Sequence, residues 1–244
     1  MIKKQIPNLL TLCNLTCGAL AAYMAAMGRL HIAAIFIFCG ILFDFFDGFA
    51  ARLLGVASPM GKELDSLADV VTSGVAPAFI LFRILFCFHG WKYWVFLAFL
   101  MPAFAGYRLA KFNLDERQHT SFLGLPVPSN ALIWASIGLC VVRPEWAQVA
   151  ILPVPAIQHV LLSNTTLIIM GALSMLTNIL MISEVPMLSL KFHSFGWRGN
   201  EIKYILLIGA MLLIALFGIF GIAIAILWYI LLSLLCGRRQ CSKS

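Results

Sequence analysis

Four aspartates stand together with Gly48, Gly61 and Arg52 in the run DFFDGFAARLLGVASPMGKELDSLAD, residues 44–69 of an otherwise apolar chain. Ionised side chains at membrane depth are costly unless they are paired or bind a cation, so four together read as a functional site whose occupant is a divalent metal. Asp44 and Asp47 are three residues apart, and Asp65 and Asp69 are four apart, so on helices each pair shares one face. The segment from Leu53 to Gly61 is short. It predicts two antiparallel neighbouring helices whose acidic ends converge near one membrane boundary. Hard oxygen ligands of this kind select Mg²⁺ or Mn²⁺ over softer metals, and a substrate phosphate would complete the coordination.

The residues between the acids admit two readings each. Gly48 and Gly61 either let a bulky ligand approach the backbone or serve helix packing. Arg52 offers a fixed positive charge for a diphosphate, or snorkels to the membrane edge. Ser58 precedes Pro59 and is placed to cap the helix that follows, and it could also contact a nucleotide.

Positioning these groups is the task of an apolar scaffold. With 244 residues, 62% hydrophobic and 11% charged, the chain reads as an all-α polytopic membrane protein. Hydropathy and flanking charge predict eight spans over roughly 7–28, 31–53, 62–87, 93–111, 127–143, 166–184, 203–218 and 220–236, a six-helix core plus a C-terminal hairpin. Gly218 and Gly221 offer the hairpin turn; without it residues 203–236 would form one over-long helix. Pro144 to Thr165 reads as re-entrant or interfacial. The opening MIKKQIPNLL runs straight into a helix holding Asn8, Thr11 and Asn14, which reads as retained rather than cleaved. Gly74 and Pro77 predict a kink in the third span. The whole chain, 1–244, is expected to form one domain.

Charge sets the orientation. With the N-terminus inside, Lys3, Lys4, Arg52, Lys62, Arg108, Lys111, Arg117, Lys191, Arg198, Lys203, Arg238, Arg239 and Lys243 fall on the cytoplasmic side, against Arg29, Arg83, Lys92 and Arg143 opposite. The acidic motif then faces the cytoplasm. This asymmetry, with anionic headgroups as partners, accounts for the net charge of +7, and nucleic-acid binding need not be invoked. Seven cysteines show no disulfide or zinc spacing, five histidines are scattered, and six tryptophans mostly mark the membrane boundaries as an aromatic belt.

The spacing DxxDGxxAR, eight residues, then GxxxDxxxD resembles the signature of the CDP-alcohol phosphatidyltransferase family at Asp44, Asp47, Gly48, Ala51, Arg52, Gly61, Asp65 and Asp69. IPNLLTLCNLTCGALA, SLADVVTSGVAPA, GYRLAKFN and GLPVPSNA, all near or within the first 130 residues, resemble the serine-using members of that family, and SEVPMLSLKF is compatible. The resemblance implies transfer of the phosphatidyl group of CDP-diacylglycerol to the hydroxyl of L-serine, giving phosphatidylserine and CMP. It further implies two divalent ions held by the four aspartates, with Asp69 as general base. Gly48, Arg52 and Ser58 are where similar proteins contact CDP-diacylglycerol, with Gly61 beside them and Asn8 and Thr11 lining the same pocket. A homodimer in a bacterial plasma membrane is also implied.

A zwitterionic acceptor needs a cation for its carboxylate. Arg108 and Lys111, with Asn113 nearby, are candidates, headgroup anchoring being their alternative role. Two other functions fit the acids: a related transferase using glycerol 3-phosphate, inositol phosphate or a second lipid, and a divalent-cation channel or transporter. Clustering of the acids at one membrane face, with Arg52 and the glycines, argues against a permeation path.

Overall fold

A computed structural model of the chain describes residues 2–89, 93–114, 122–142, 164–188, 196 and 200–241. Helices α1 (Ile2–Ala26), α2 (Leu30–Leu54) and α3 (Pro59–Asp69) lead into a π-helical segment, Val70–Val75, and then α4 (Ala76–His89). A 3₁₀ segment (Tyr93–Phe99) opens into α5 (Leu100–Leu114), followed by α6 (Val127–Val142), α7 (Asn164–Ile182), α8 (Glu201–Phe217) and α9 (Phe220–Cys241). Two short strands, β1 (Phe122–Leu123) and β2 (Pro186–Met187), pair antiparallel. The molecule is a polytopic helical membrane protein. Gln5–Ala26, Leu30–Leu54, Pro59–Cys87 and Tyr93–Leu114 are long and apolar enough to cross a bilayer, and Val127–Val141, Ile168–Ile182 and Phe220–Leu235 are shorter apolar helices.

Local chemistry explains the boundaries that matter for the acids. Helix α2 ends at Gly55, whose left-handed backbone (φ 62°) lets its N–H and that of Val56 reach back to the carbonyls of Arg52 and Ala51. Ser58 then caps α3, its hydroxyl accepting from the Gly61 N–H at 3.1 Å, with Pro59 in the first turn where a missing N–H costs nothing. The expected kink in the third span takes the form of the π segment. Pro77, one residue into α4, has no N–H to give to the turn before it, and a widened turn absorbs the mismatch without breaking the rod.

Small residues let α1 and α2 pack closely: Ala21, Ala25, Ala33 and Ala34 are fully buried beside Ile37. Helix α1 also packs along α3, while α2 and α3 touch each other little. The short loop brings α2 and α3 together at their acidic side chains, so that Asp44, Asp47 and Asp65 converge as expected from the sequence, and α1 packs against both helices. The C-terminal run is two helices, turning at Gly218. Trp134 departs from the expected belt: it is fully buried, with its indole N–H donating to Asn130 Oδ1 at 3.3 Å. Trp228 packs against Gly209 inside the hairpin. Cys13, Cys17, Cys39, Cys87 and Cys140 are free thiols. Most of Pro144 to Thr165, and Asp115, Glu116, Arg117 and Trp146, lie outside the described residues.

Candidate active site

Helices α2 and α3 bring carboxylate oxygens of Asp44, Asp47 and Asp65 within 4.8 Å of one another. Asp47 is buried, 5% exposed, while Asp44 and Asp65 are half-buried. Carboxylates this close repel unless a cation or a shared proton lies between them. Asp65 Oδ1 is buried with no hydrogen-bond partner among the described residues. An all-oxygen donor set with a free buried acceptor fits a hard divalent cation.

Asp69 stands one turn deeper and outside that tight set. It is 8% exposed, accepts a long hydrogen bond from Asn14 Nδ2 at 3.4 Å, and lies within electrostatic reach of Asp65 and of Arg108 on α5. The four carboxylates are thus a cluster of three with a fourth behind it.

Helix α1 supplies the supports. Thr11, itself buried, donates from its hydroxyl to Asp47 Oδ2 at 2.5 Å and also lies 3.0 Å from the Pro7 carbonyl. Thr72, in the π segment, donates to the backbone carbonyl of Asn14 at 3.0 Å. That contact ties the segment after Asp69 to α1. It needs Gly18 and Gly40 to lack side chains: a Cβ on Gly18 would overlap Thr72, and one on Gly40 would lie 2.5 Å from Thr72 Cγ2 and 2.9 Å from Asn14 Oδ1. Asn14 and Thr72 were not singled out as site residues from the sequence. A polar residue one turn from Thr11 on an apolar helix was the available signal for Asn14.

A cavity of about 220 Å³ opens beside the acids, and its wall includes Asn8, Thr11, Asp47, Gly48, Ser58, Gly61, Lys62 and Asp65. Five of the six residues expected to contact the nucleotide lipid therefore share one space. The sixth, Arg52, is exposed next to it, and its Nε donates to the Gly48 carbonyl at 3.0 Å. Among the described residues no atom stands within 4 Å of a Cβ placed on Gly48, so packing against them does not require glycine there.

The three acceptor candidates behave differently. Arg108 is 7% exposed, with its guanidinium carbon 5.7 Å from the Phe112 ring centroid. Lys111 forms an ion pair with Glu184 at 3.0 Å, joining α5 to the segment after α7. Asn113 braces α5 on α3: its amide donates to Ser66 Oγ at 2.9 Å and its carbonyl accepts from Lys62 Nζ at 3.1 Å.

The profile of the CDP-alcohol phosphatidyltransferase family matches residues 4–161, which include all four aspartates, the cavity and Arg108. The chain belongs to that family. Relatives of this transferase include the CDP-diacylglycerol–serine O-phosphatidyltransferase of Bacillus subtilis, 40% identical over 124 residues, or 50% of this chain and 69% of that protein. The Helicobacter pylori protein of the same name is 30% identical over 181 residues, 73% of this chain and 70% of the relative. The archaetidylserine synthase of Methanothermobacter thermautotrophicus is 34% identical over 137 residues, 55% of this chain and 58% of that protein. Helices α8 and α9 lie beyond the segment that the family profile covers.

Proposed function

We propose that this transferase moves the phosphatidyl group of CDP-diacylglycerol to the hydroxyl of L-serine, releasing CMP. The observation that carries the reading is the meeting of three carboxylates, two of which, Asp47 and Asp65, lie in the wall of a cavity also lined by Asn8, Gly48, Ser58 and Gly61. Relatives whose names specify serine as acceptor support the choice of serine.

Each residue then has a task. Asp44, Asp47 and Asp65, with Asp69 behind them, would hold two Mg²⁺ or Mn²⁺ ions. Bound there, such ions offset charge on the diphosphate and on the departing CMP and align the displacement. Gly48, bare of side chain, lets the nucleotide approach the α2 backbone, and Arg52 outside the cavity adds a positive charge for the diphosphate. Ser58, Gly61, Asn8 and Thr11 border the nucleotide. A serine hydroxyl is a poor nucleophile at neutral pH, so a carboxylate must take its proton as the oxygen attacks the phosphorus bearing diacylglycerol. Asp69 is that base: it is buried and hydrogen-bonded by Asn14. Arg108 receives the serine carboxylate, while Lys111 and Asn113 brace the mouth through their contacts with Glu184 and Ser66. One domain carries the whole reaction, in a bacterial plasma membrane with the acids facing the cytoplasm and with two copies of the chain in the working unit.

The test uses the purified full-length protein with CDP-diacylglycerol, Mn²⁺ or Mg²⁺ and one acceptor at a time, following CMP release. CMP appears with L-serine and is nearly abolished in Asp69→Asn. Equal turnover with glycerol 3-phosphate would overturn the choice of acceptor, and full activity in Asp69→Asn would remove the base.

A further inference from the structure

Helix α1 supports two of the four carboxylates from one face. Thr11 donates to Asp47, a member of the tight set, and Asn14, three residues on, donates from Nδ2 to Oδ1 of Asp69 at 3.4 Å. Asn14 is fully buried. An ionised carboxylate only accepts, so the amide must turn its N–H to Asp69, and its own Oδ1 is left buried with no hydrogen-bond partner among the described residues. An unpartnered buried acceptor costs stability, a cost that an aliphatic side chain of similar shape would avoid. The amide is therefore explained by what it does for Asp69.

The backbone of Asn14 is fixed as well. Thr72 donates from its hydroxyl to the Asn14 carbonyl at 3.0 Å, and Thr72 lies three residues after Asp69 in the π segment. Asn14 is thus tied by its main chain to the same segment whose carboxylate its side chain holds. Gly40 of α2 stands beside the amide oxygen, close enough that a Cβ there would lie 2.9 Å from Asn14 Oδ1.

We propose that Asn14 is a positioning residue for the base: by holding Oδ1 it fixes the rotation of the Asp69 carboxylate, so that Oδ2 takes the proton of the acceptor. That proton passes to Oδ2 as the hydroxyl oxygen bonds to phosphorus and the bond from phosphorus to the CMP oxygen breaks. Thr11 and Asn14 then have separate tasks on one helix, the first orienting a metal ligand and the second orienting the base. The inference rests on the assignment of Asp69 as base above.

Asn14→Leu and Thr72→Val in the full-length enzyme in lipid vesicles test it, with CMP release, equilibrium Mn²⁺ binding and thermal unfolding measured for each. Asn14→Leu lowers kcat about tenfold, the lower end for a hydrogen bond to a charged group because the contact is long. Both KM values and the Mn²⁺ affinity stay within about twofold of wild type, and the melting temperature stays close to it, since relief of the unpartnered Oδ1 offsets the donor lost to Asp69. Thr72→Val lowers kcat in the same way by less. An unchanged kcat in Asn14→Leu, a loss that follows weaker Mn²⁺ binding, or a loss that comes with raised KM values for both substrates and a lowered melting temperature would overturn the positioning role. If Asn14→Leu does not fold, Thr72→Val decides: a selective fall in kcat supports the role and a wild-type kcat overturns it. Asp69→Asn separates the two levels. Full activity there removes the base and the role of Asn14 with it, whereas an inactive Asp69→Asn beside a wild-type kcat in Asn14→Leu rejects only the role of Asn14. The assay uses whichever acceptor releases CMP, so a failure of serine leaves the test of Asn14 intact.

Discussion

Replacing Thr11 with valine removes one hydroxyl from the wall of the acidic cluster while keeping the shape of the side chain. The Thr11 hydroxyl oxygen lies 2.5 Å from Asp47 Oδ2, and both residues are buried in the wall of the cavity. The Pro7 carbonyl loses less, since it keeps the backbone hydrogen bond expected of a helix interior. A hydrogen bond to an ionised group contributes about 1.5–3 kcal/mol, equivalent to a factor of about 10–150 in an equilibrium constant. Loosening a residue that orients a metal ligand lowers metal affinity on the same scale. Thr11→Val is therefore expected to raise the Mn²⁺ concentration giving half-maximal CMP release by about 10- to 150-fold, with the serine KM unchanged. The assay is CMP release across a metal titration at saturating substrates. An unaltered metal dependence accompanied by a higher CDP-diacylglycerol KM would refute the reasoning, because the hydroxyl would then serve the nucleotide and not Asp47.

Among the described residues Gly48→Ala meets no atom within 4 Å, so thermal unfolding stays at the wild-type temperature while CMP release is largely lost; a fall in melting temperature would return Gly48 to a packing role. Gly18→Ala behaves in the opposite order. Its Cβ would lie 2.7 Å from Thr72 Cα and 2.8 Å from Thr72 N, backbone that cannot swing aside, so stability falls by about 1–3 kcal/mol and activity follows as the π segment shifts. Lys111→Met removes a partly exposed ion pair contributing at most about 1 kcal/mol, and the serine KM is expected to stay within about twofold. A large selective rise in that KM would make Lys111 a direct ligand of the acceptor.

The class of the protein and the chemistry of its site were legible in residues 44–69 because helical periodicity is a local property. Three- and four-residue spacing puts each pair of acids on one face whatever surrounds it, and Ser58–Pro59 and Gly55 set the ends of the helices by local backbone hydrogen bonding. Apolar runs of bilayer length marked the spans for the same reason. The π segment was harder to read, since a proline predicts a disturbed turn without saying whether the rod kinks, breaks or widens.

Sequence alone determined that four carboxylates sit on two helix ends in an apolar chain, since spacing and hydropathy are written residue by residue. Tertiary structure decided how they divide, three within 4.8 Å and Asp69 behind them beside Asn14 and Arg108. It also decided that α1 supplies Thr11 and Asn14 beside them. Those contacts span separations of 36 and 55 residues. No local pattern encodes them, because they arise only when small residues such as Gly18 and Gly40 let separate helices approach to van der Waals distance.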